Sequence, residues 1–170
     1  MLKLRTPVLL AAAAALVLPV GMPGSAAAAV VVGKDAATCQ SGKPAVQVRV
    51  SGFKQASGTV RVTLYDARGY LKKKSSLRKV RVPVNSRGAM DVCVAVPKPG
   101  RYSVAVQHDL NGNRDLDRAD GGGFSRNPGL SLVGARPSFA RTSFDVGSGP
   151  RMVPVTLQYL KGLRIGPVES

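Results

Sequence analysis

Valine recurs at every second position in several short stretches of this chain. Val46, Val48 and Val50 alternate with Gln47 and Arg49, and Val60, Val62 and Leu64 alternate with Arg61, Thr63 and Tyr65. The same rhythm returns in Val80, Val82 and Val84, set against Lys79 and Arg81, then in Val92, Val94 and Val96, and again in Tyr102, Val104 and Val106. A period of two puts successive side chains on opposite faces of a strand, so each stretch reads as a strand with one face turned to a core. The connection Ser51 to Gly58 carries two glycines, which predicts a hairpin between the first two strands. Further strands are expected around Phe139 to Val146 and Val153 to Tyr159, and no helical period follows residue 30. The pattern predicts an all-β domain, an antiparallel β-sandwich of about seven strands.

The N-terminus follows a different pattern. Lys3 and Arg5 precede an apolar run from Pro7 to about Val20, and Ser25-Ala26-Ala27-Ala28-Ala29 offers small-x-small cleavage points. This is the form of a secretory signal peptide. Pro19, Gly21 and Pro23 interrupt the run, which makes it too short and broken to serve well as a permanent membrane span. The expected organisation is a leader over 1–29, an irregular segment over 30–44, the sandwich over 45–162 and a tail over 163–170. The destination is the periplasm or the medium, with no transmembrane segment once the leader is removed. Cys39 is too far from the cleavage region to carry a lipid anchor. In an exported chain the two cysteines, Cys39 and Cys93, are expected to form one disulfide, worth about 4 kcal/mol by loop closure. If Val92, Val94 and Val96 face the core, Cys93 faces away, and the disulfide pins the N-terminal segment across the outside of a sheet.

Charge narrows the choice of partners. The net charge is +16, while aromatic residues make up 5% of the chain. Export and the scarcity of stacking side chains argue against nucleic acid as the natural partner. Strand alternation aims Arg49, Arg61, Lys79 and Arg81 away from the apolar face. With Lys72, Lys73 and Lys74 they are expected to make a weak anion-binding face for an anionic envelope polymer, lipid headgroups or an acidic protein.

Against that basic background, Asp109, Asp115, Asp117 and Asp120 crowd into one loop, although the whole chain has nine acidic residues. With Asn111 and Asn113 they set oxygen-bearing side chains at alternate positions, the arrangement by which a coiled loop turns hard ligands onto one cation. The expected ion is Ca2+, held by Asp109, Asn111, Asn113, Asp115, Asp117 and Asp120 at the modest affinity of extracellular modules. The loop is not an EF-hand, because Arg114 stands at its sixth position and a strand precedes it. His108, the one histidine, lacks the companions that a zinc site or a catalytic triad needs, and is expected to orient the loop by hydrogen bonding. Gly121-Gly122-Gly123 has no phosphate-loop context and reads as a mobile lip.

The chain resembles a bacterial family known as domain of unknown function 2141. The resemblance lies in Gly58-Thr59-Val60-Arg61-Val62-Thr63-Leu64-Tyr65-Asp66, in Pro99 to Asp109, in Asn111-Gly112-Asn113 with Leu116-Asp117, and in Gly123-Phe124-Ser125 with Pro137-Ser138-Phe139. It departs at Leu110, where an acidic or polar residue is usual, and in the basic stretch from Lys72 to Arg81. The resemblance implies an exported sandwich of the transthyretin-like or carboxypeptidase-regulatory-like sort, without an established activity. The reading is an exported, non-enzymatic binding or interaction module stabilised by calcium. The alternatives are a carbohydrate-active or other hydrolase using the acidic loop, and a purely structural envelope domain. Close spacing on one loop counts against the hydrolase, which needs two carboxylates in separate environments across a substrate.

Overall fold

The structure, a computed structural model, describes residues 30–168. The expected leader, residues 1–29, lies outside the described residues. Two short elements come first, β1 (Val31–Val32) and a single-turn helix α1 (Ala36–Gln40), followed by β2 (Ala45–Ser51), β3 (Thr59–Tyr65), β4 (Arg78–Pro83), β5 (Met90–Ala95) and β6 (Gly100–Asp109). After the acidic loop come β7 (Gly121–Phe124), the single-turn helix α2 (Phe139–Thr142), β8 (Phe144–Val146), β9 (Pro150–Thr156), β10 (Gln158–Lys161) and β11 (Arg164–Pro167). They form a four-stranded sheet in the order β1-β5-β2-β9 and a seven-stranded sheet in the order β11-β10-β7-β6-β3-β4, with β8 paired to β6.

The all-β, two-sheet class is the one that the valine pattern predicts. The inward residues Val46, Val48, Val60, Val62, Leu64, Val104 and Val106 are all buried, and they belong to one core cluster that both sheets supply. The number and pairing of strands differ from expectation. Eleven strands are present among the described residues, because short segments with little alternation, such as β1, β7, β10 and β11, are recruited by neighbours whose backbone groups need partners. Most pairings are antiparallel, but β1 runs parallel to β5 and β2 runs parallel to β9.

Three local expectations are corrected. The strands β2 and β3 are not a hairpin: β2 pairs with β5 and β9, while β3 pairs with β4 and β6. Both carry an apolar stripe, and opposing sheets bury two stripes against each other; Ser51 to Gly58 is therefore a crossing between sheets, plugged by the buried Phe53. The stretch Phe139 to Val146 is one helical turn followed by a three-residue strand rather than one strand. The stretch Val153 to Tyr159 divides at Leu157, so that β9 lies in one sheet and β10 in the other; the Leu157 N–H donates to the Ser51 carbonyl at 2.9 Å.

The N-terminal segment is built into the fold. Cys39 and Cys93 are joined in a disulfide, and Cys93 is fully buried on the outer face of the four-stranded sheet, under α1. Asp35 is buried as well, accepting the guanidinium of Arg78 and, at 3.1 Å, the N–H of Ala95. Arg78 holds the Asp35 carboxyl below the usual carboxylate range, and this outweighs the opposing effect of burial. The expected tail likewise contains β11, antiparallel to β10.

Candidate functional site

The outer face of the seven-stranded sheet gathers most of the chemistry. The cross-strand register lines up Arg81, Arg61, Gln107, Gly122 and Gln158 in one row. Arg81 and Arg61 are direct neighbours of like charge, an arrangement that costs stability unless each finds acceptors. Arg81 finds Asp109 at 3.0 Å and the Thr59 hydroxyl at 2.8 Å. Arg61 donates to the Gln107 side-chain oxygen and, at 3.4 Å, to the Arg114 carbonyl; both acceptors are neutral, so its charge is not offset.

From this face the acidic loop springs, and its winding is specific. Asp109, at the end of β6, is fully buried. Its carboxylate accepts the N–H groups of Gly112 at 2.8 Å and Arg114 at 2.9 Å. Further along, Asn111 Oδ1 accepts the Asn113 N–H, Asn113 Oδ1 accepts the Asp115 N–H, and Asp117 Oδ1 accepts the Ala119 N–H. Asp120, also buried, closes the ring by accepting the Leu110 N–H at 3.1 Å. Arg114 has φ of 71°, the left-handed turn that a glycine usually makes at the sixth position of a calcium loop. The arginine at this position thus does not prevent the turn. The flanking elements are strands, so the loop is still no EF-hand.

Five of the six predicted ligands fall into two groups. Asn111, Asn113 and Asp117 converge on the exposed side, with both amide nitrogens donating to Asp117 Oδ2 at 2.8 and 3.3 Å. The Ala119 N–H, together with these amides, lowers the Asp117 pKa. Asp120 and the Asp115 carbonyl share another donor on the inner side, Gln107 Nε2. Asp109 stands apart against Arg81. Among the described residues no three His, Cys, Asp or Glu side chains are gathered for a metal ion; the Asn111 and Asn113 oxygens instead accept loop N–H groups.

The predicted basic face does not hold together. Arg49 lies on the four-stranded sheet, where Asp91 grips it through two hydrogen bonds of 2.9 and 2.8 Å. Arg81 is committed to Asp109. Lys79 is exposed near the edge of the seven-stranded sheet, and Lys72, Lys73 and Lys74 are exposed on the β3–β4 connection. The four strand cations, Arg49, Arg61, Lys79 and Arg81, alternate outward as expected, but two sheets have two outer faces, so Arg49 is separated from the others.

His108 points into the core, not toward the acidic loop. Its Nε2 lies 2.8 Å from the Ser57 carbonyl, and its Nδ1 lies 2.7 Å from the Tyr159 hydroxyl, which also accepts the Lys54 N–H. A carbonyl can only accept, so Nε2 carries a proton, and in the neutral ring Nδ1 accepts from Tyr159. The histidine therefore braces the sheet-crossing connection rather than the loop. Gly121 to Gly123 is not a lip either. It is the body of β7: a Cβ on Gly121 would lie 2.5 Å from the Tyr159 ring, and one on Gly123 would lie 2.7 Å from Val155.

The sequence reading missed a groove of about 690 Å3 on this same face. Phe124, Leu130, Leu160 and Ile165 line it with the exposed Leu116 and Leu132, and so do Arg61, Arg118 and Arg136 and the acids Asp117 and Asp120. The signal was present in Leu116 and Leu132, large apolar residues in loops, which are 72% and 54% exposed.

Together these features define a two-sheet, all-β domain with a coiled acidic loop beside an apolar groove. The chain belongs to a family described as uncharacterized proteins conserved in bacteria, DUF2141, whose model matches residues 48–153. Neither the curated proteins nor the solved structures include a match. Among the described residues no helix is long and apolar enough to cross a membrane.

Proposed function

We propose that this protein is an exported, non-enzymatic binding module whose acidic loop is held by one calcium ion. The observation that carries the reading is the winding of residues 109–120. Counted from Asp109, the oxygen-bearing residues occupy positions 1, 3, 5, 7, 9 and 12, the spacing of a calcium loop, and the sixth residue takes the required left-handed turn. Asp109, Asn111, Asn113, Asp117 and Asp120 would supply side-chain oxygens and Asp115 its carbonyl. The cation would offset the mutual repulsion of four acids, which the amides of Asn111, Asn113 and Gln107 relieve in part. Export is supported by the leader pattern at the N-terminus and by the disulfide. Binding rather than catalysis is supported by the commitments of the candidate groups: His108 is bonded through both ring nitrogens, and Asp109 and Asp120 are each taken by several N–H donors.

Thermal melts of wild type and Asp117→Ala in calcium, magnesium and chelator test the loop. At a ninefold excess over Kd, calcium should add about 1.4 kcal/mol, a rise of roughly 5 °C for a domain of this size. Magnesium should fall short of it, and Asp117→Ala, an exposed position, should lose the response while folding normally. Equal melting temperatures of the wild type in several millimolar calcium and in chelator would overturn the calcium reading.

A further inference from the structure

The groove on the outer face of the seven-stranded sheet has the chemistry of a ligand site. Its volume of about 690 Å3 lies within the range of small-molecule pockets, roughly 300 to 1,000 Å3. Most of its strand residues lie on the pleated face of β3, β6, β7 and β10, whose backbones are already paired on both sides, with Ile165 of the edge strand β11 among the lining. A ligand lying on that face is held by side chains rather than by strand addition. The apolar part of the lining is largely aliphatic, with Leu71, Leu130, Leu160 and Ile165 beside the rings of Phe124 and Tyr65. Such a surface rewards burial of alkyl chain.

The charge at the groove points the same way. Arg118 and Arg136 have no ion pair among the described residues, and Arg61 bonds only to neutral oxygens. The acids that line the groove, Asp117 and Asp120, are already satisfied by N–H groups of the loop and by Gln107. Three guanidinium groups against two carboxylates leave the groove lining net positive, which matches an alkyl chain that ends in an anion. Leu116 and Leu132, both exposed, add further apolar surface to the lining.

We propose that the groove binds a long-chain fatty carboxylate, its alkyl chain along the aliphatic lining and its head at Arg61, Arg118 and Arg136. This rests on reading the chain as a binding module, and it names the ligand class. Gly122 provides a clean way to test it. It lines the groove, a Cβ there would have only the Val106 carbonyl within reach, at 4.0 Å, and its φ is not in the left-handed region. The Cβ of Gly122→Leu is therefore accommodated, and its side chain projects into the groove.

The test titrates wild type, Gly122→Leu and the triple variant Arg61→Gln, Arg118→Gln, Arg136→Gln with 11-(dansylamino)undecanoic acid, followed by fluorescence and by displacement with palmitate or hexadecanol, in calcium and in chelator. Wild type should bind and should release the probe to palmitate at least tenfold more readily than to hexadecanol. Gly122→Leu should lose at least tenfold in affinity. The triple variant should lose the preference for palmitate over hexadecanol while still binding the alcohol. No saturable probe binding by wild type, equal binding by Gly122→Leu, or equal displacement by palmitate and hexadecanol would each overturn the proposal. Probe binding without a calcium-dependent melt would refute the loop reading alone, and a calcium-dependent melt without probe binding would refute the groove alone.

Discussion

Tyr159 shows how much one side chain can hold. Its hydroxyl ties His108 to the Lys54 backbone, and its ring packs over the backbone of Gly121. Burial pushes its pKa up to about 12, whereas an unfolded tyrosine loses its proton near 10. The raised value means that the folded state keeps a proton that the unfolded state gives up. The stability Tyr159 contributes is therefore whole below pH of about 10 and is lost as pH rises toward about 12. Tyr159→Phe should cost about 1 to 3 kcal/mol at neutral pH, because His108 and Lys54 lose their partner in a buried site. It should also flatten the decline in stability above pH 10, leaving the part due to Tyr65 and Tyr70, whose pKa values burial also raises. Urea unfolding at a series of alkaline pH values measures both effects. The role of His108 was hidden in the sequence because its partners, Ser57 and Tyr159, each lie 51 residues away. A neighbouring Asp109 is visible in a string of letters; a phenol brought in from another strand is not.

Among the elements, β7 departs most from expectation. A triple glycine has no alternation and no side chains to pack, so nothing in its sequence marks a strand. In the fold, Gly121 and Gly123 are required to be small by Tyr159 and Val155 on the core side, while Gly122 faces open space. The three positions should respond differently to alanine. Gly121→Ala and Gly123→Ala should each cost about 1 to 3 kcal/mol from overpacking, and Gly122→Ala should be neutral or slightly stabilising. Thermal melts of the three variants decide it, and equal losses at all three would contradict the placement of β7. The valine strands were legible because burial on one face imposes a period of two. Their partners were not, since β2 and β3 carry the same stripe and either a hairpin or two facing sheets would bury it. The acidic loop was legible as a spacing of oxygens; the clamp of Arg81 on Asp109 was not, because it spans β3 and depends on register.

At the scale of the molecule, the N-terminal segment is fastened twice, by Cys39 to Cys93 and by Asp35 to Arg78. The disulfide closes a separation of 54 residues, so Cys39→Ser with Cys93→Ser should lower stability by up to about 4 kcal/mol, read from denaturant midpoints. The Asp35 pair should show as acid sensitivity: its lowered pKa contributes stability that is present above about 4 and lost as pH falls through the folded value. Asp35→Asn should remove that loss along with the stability. The pairing of β2 with β9 has a further consequence, for the order of assembly. Val46 meets Arg151 and Val50 meets Val155 across that ladder, so one edge of an apolar strand made early stays open until nearly the whole chain is available. Closing so long a loop for a parallel pairing is slow, on the millisecond to second scale for folds rich in distant contacts. Through that interval the bare edge of β2 is a template on which another unfinished chain can pair. Refolding yield should therefore fall steeply as protein concentration rises, even under conditions in which the finished molecule is stable.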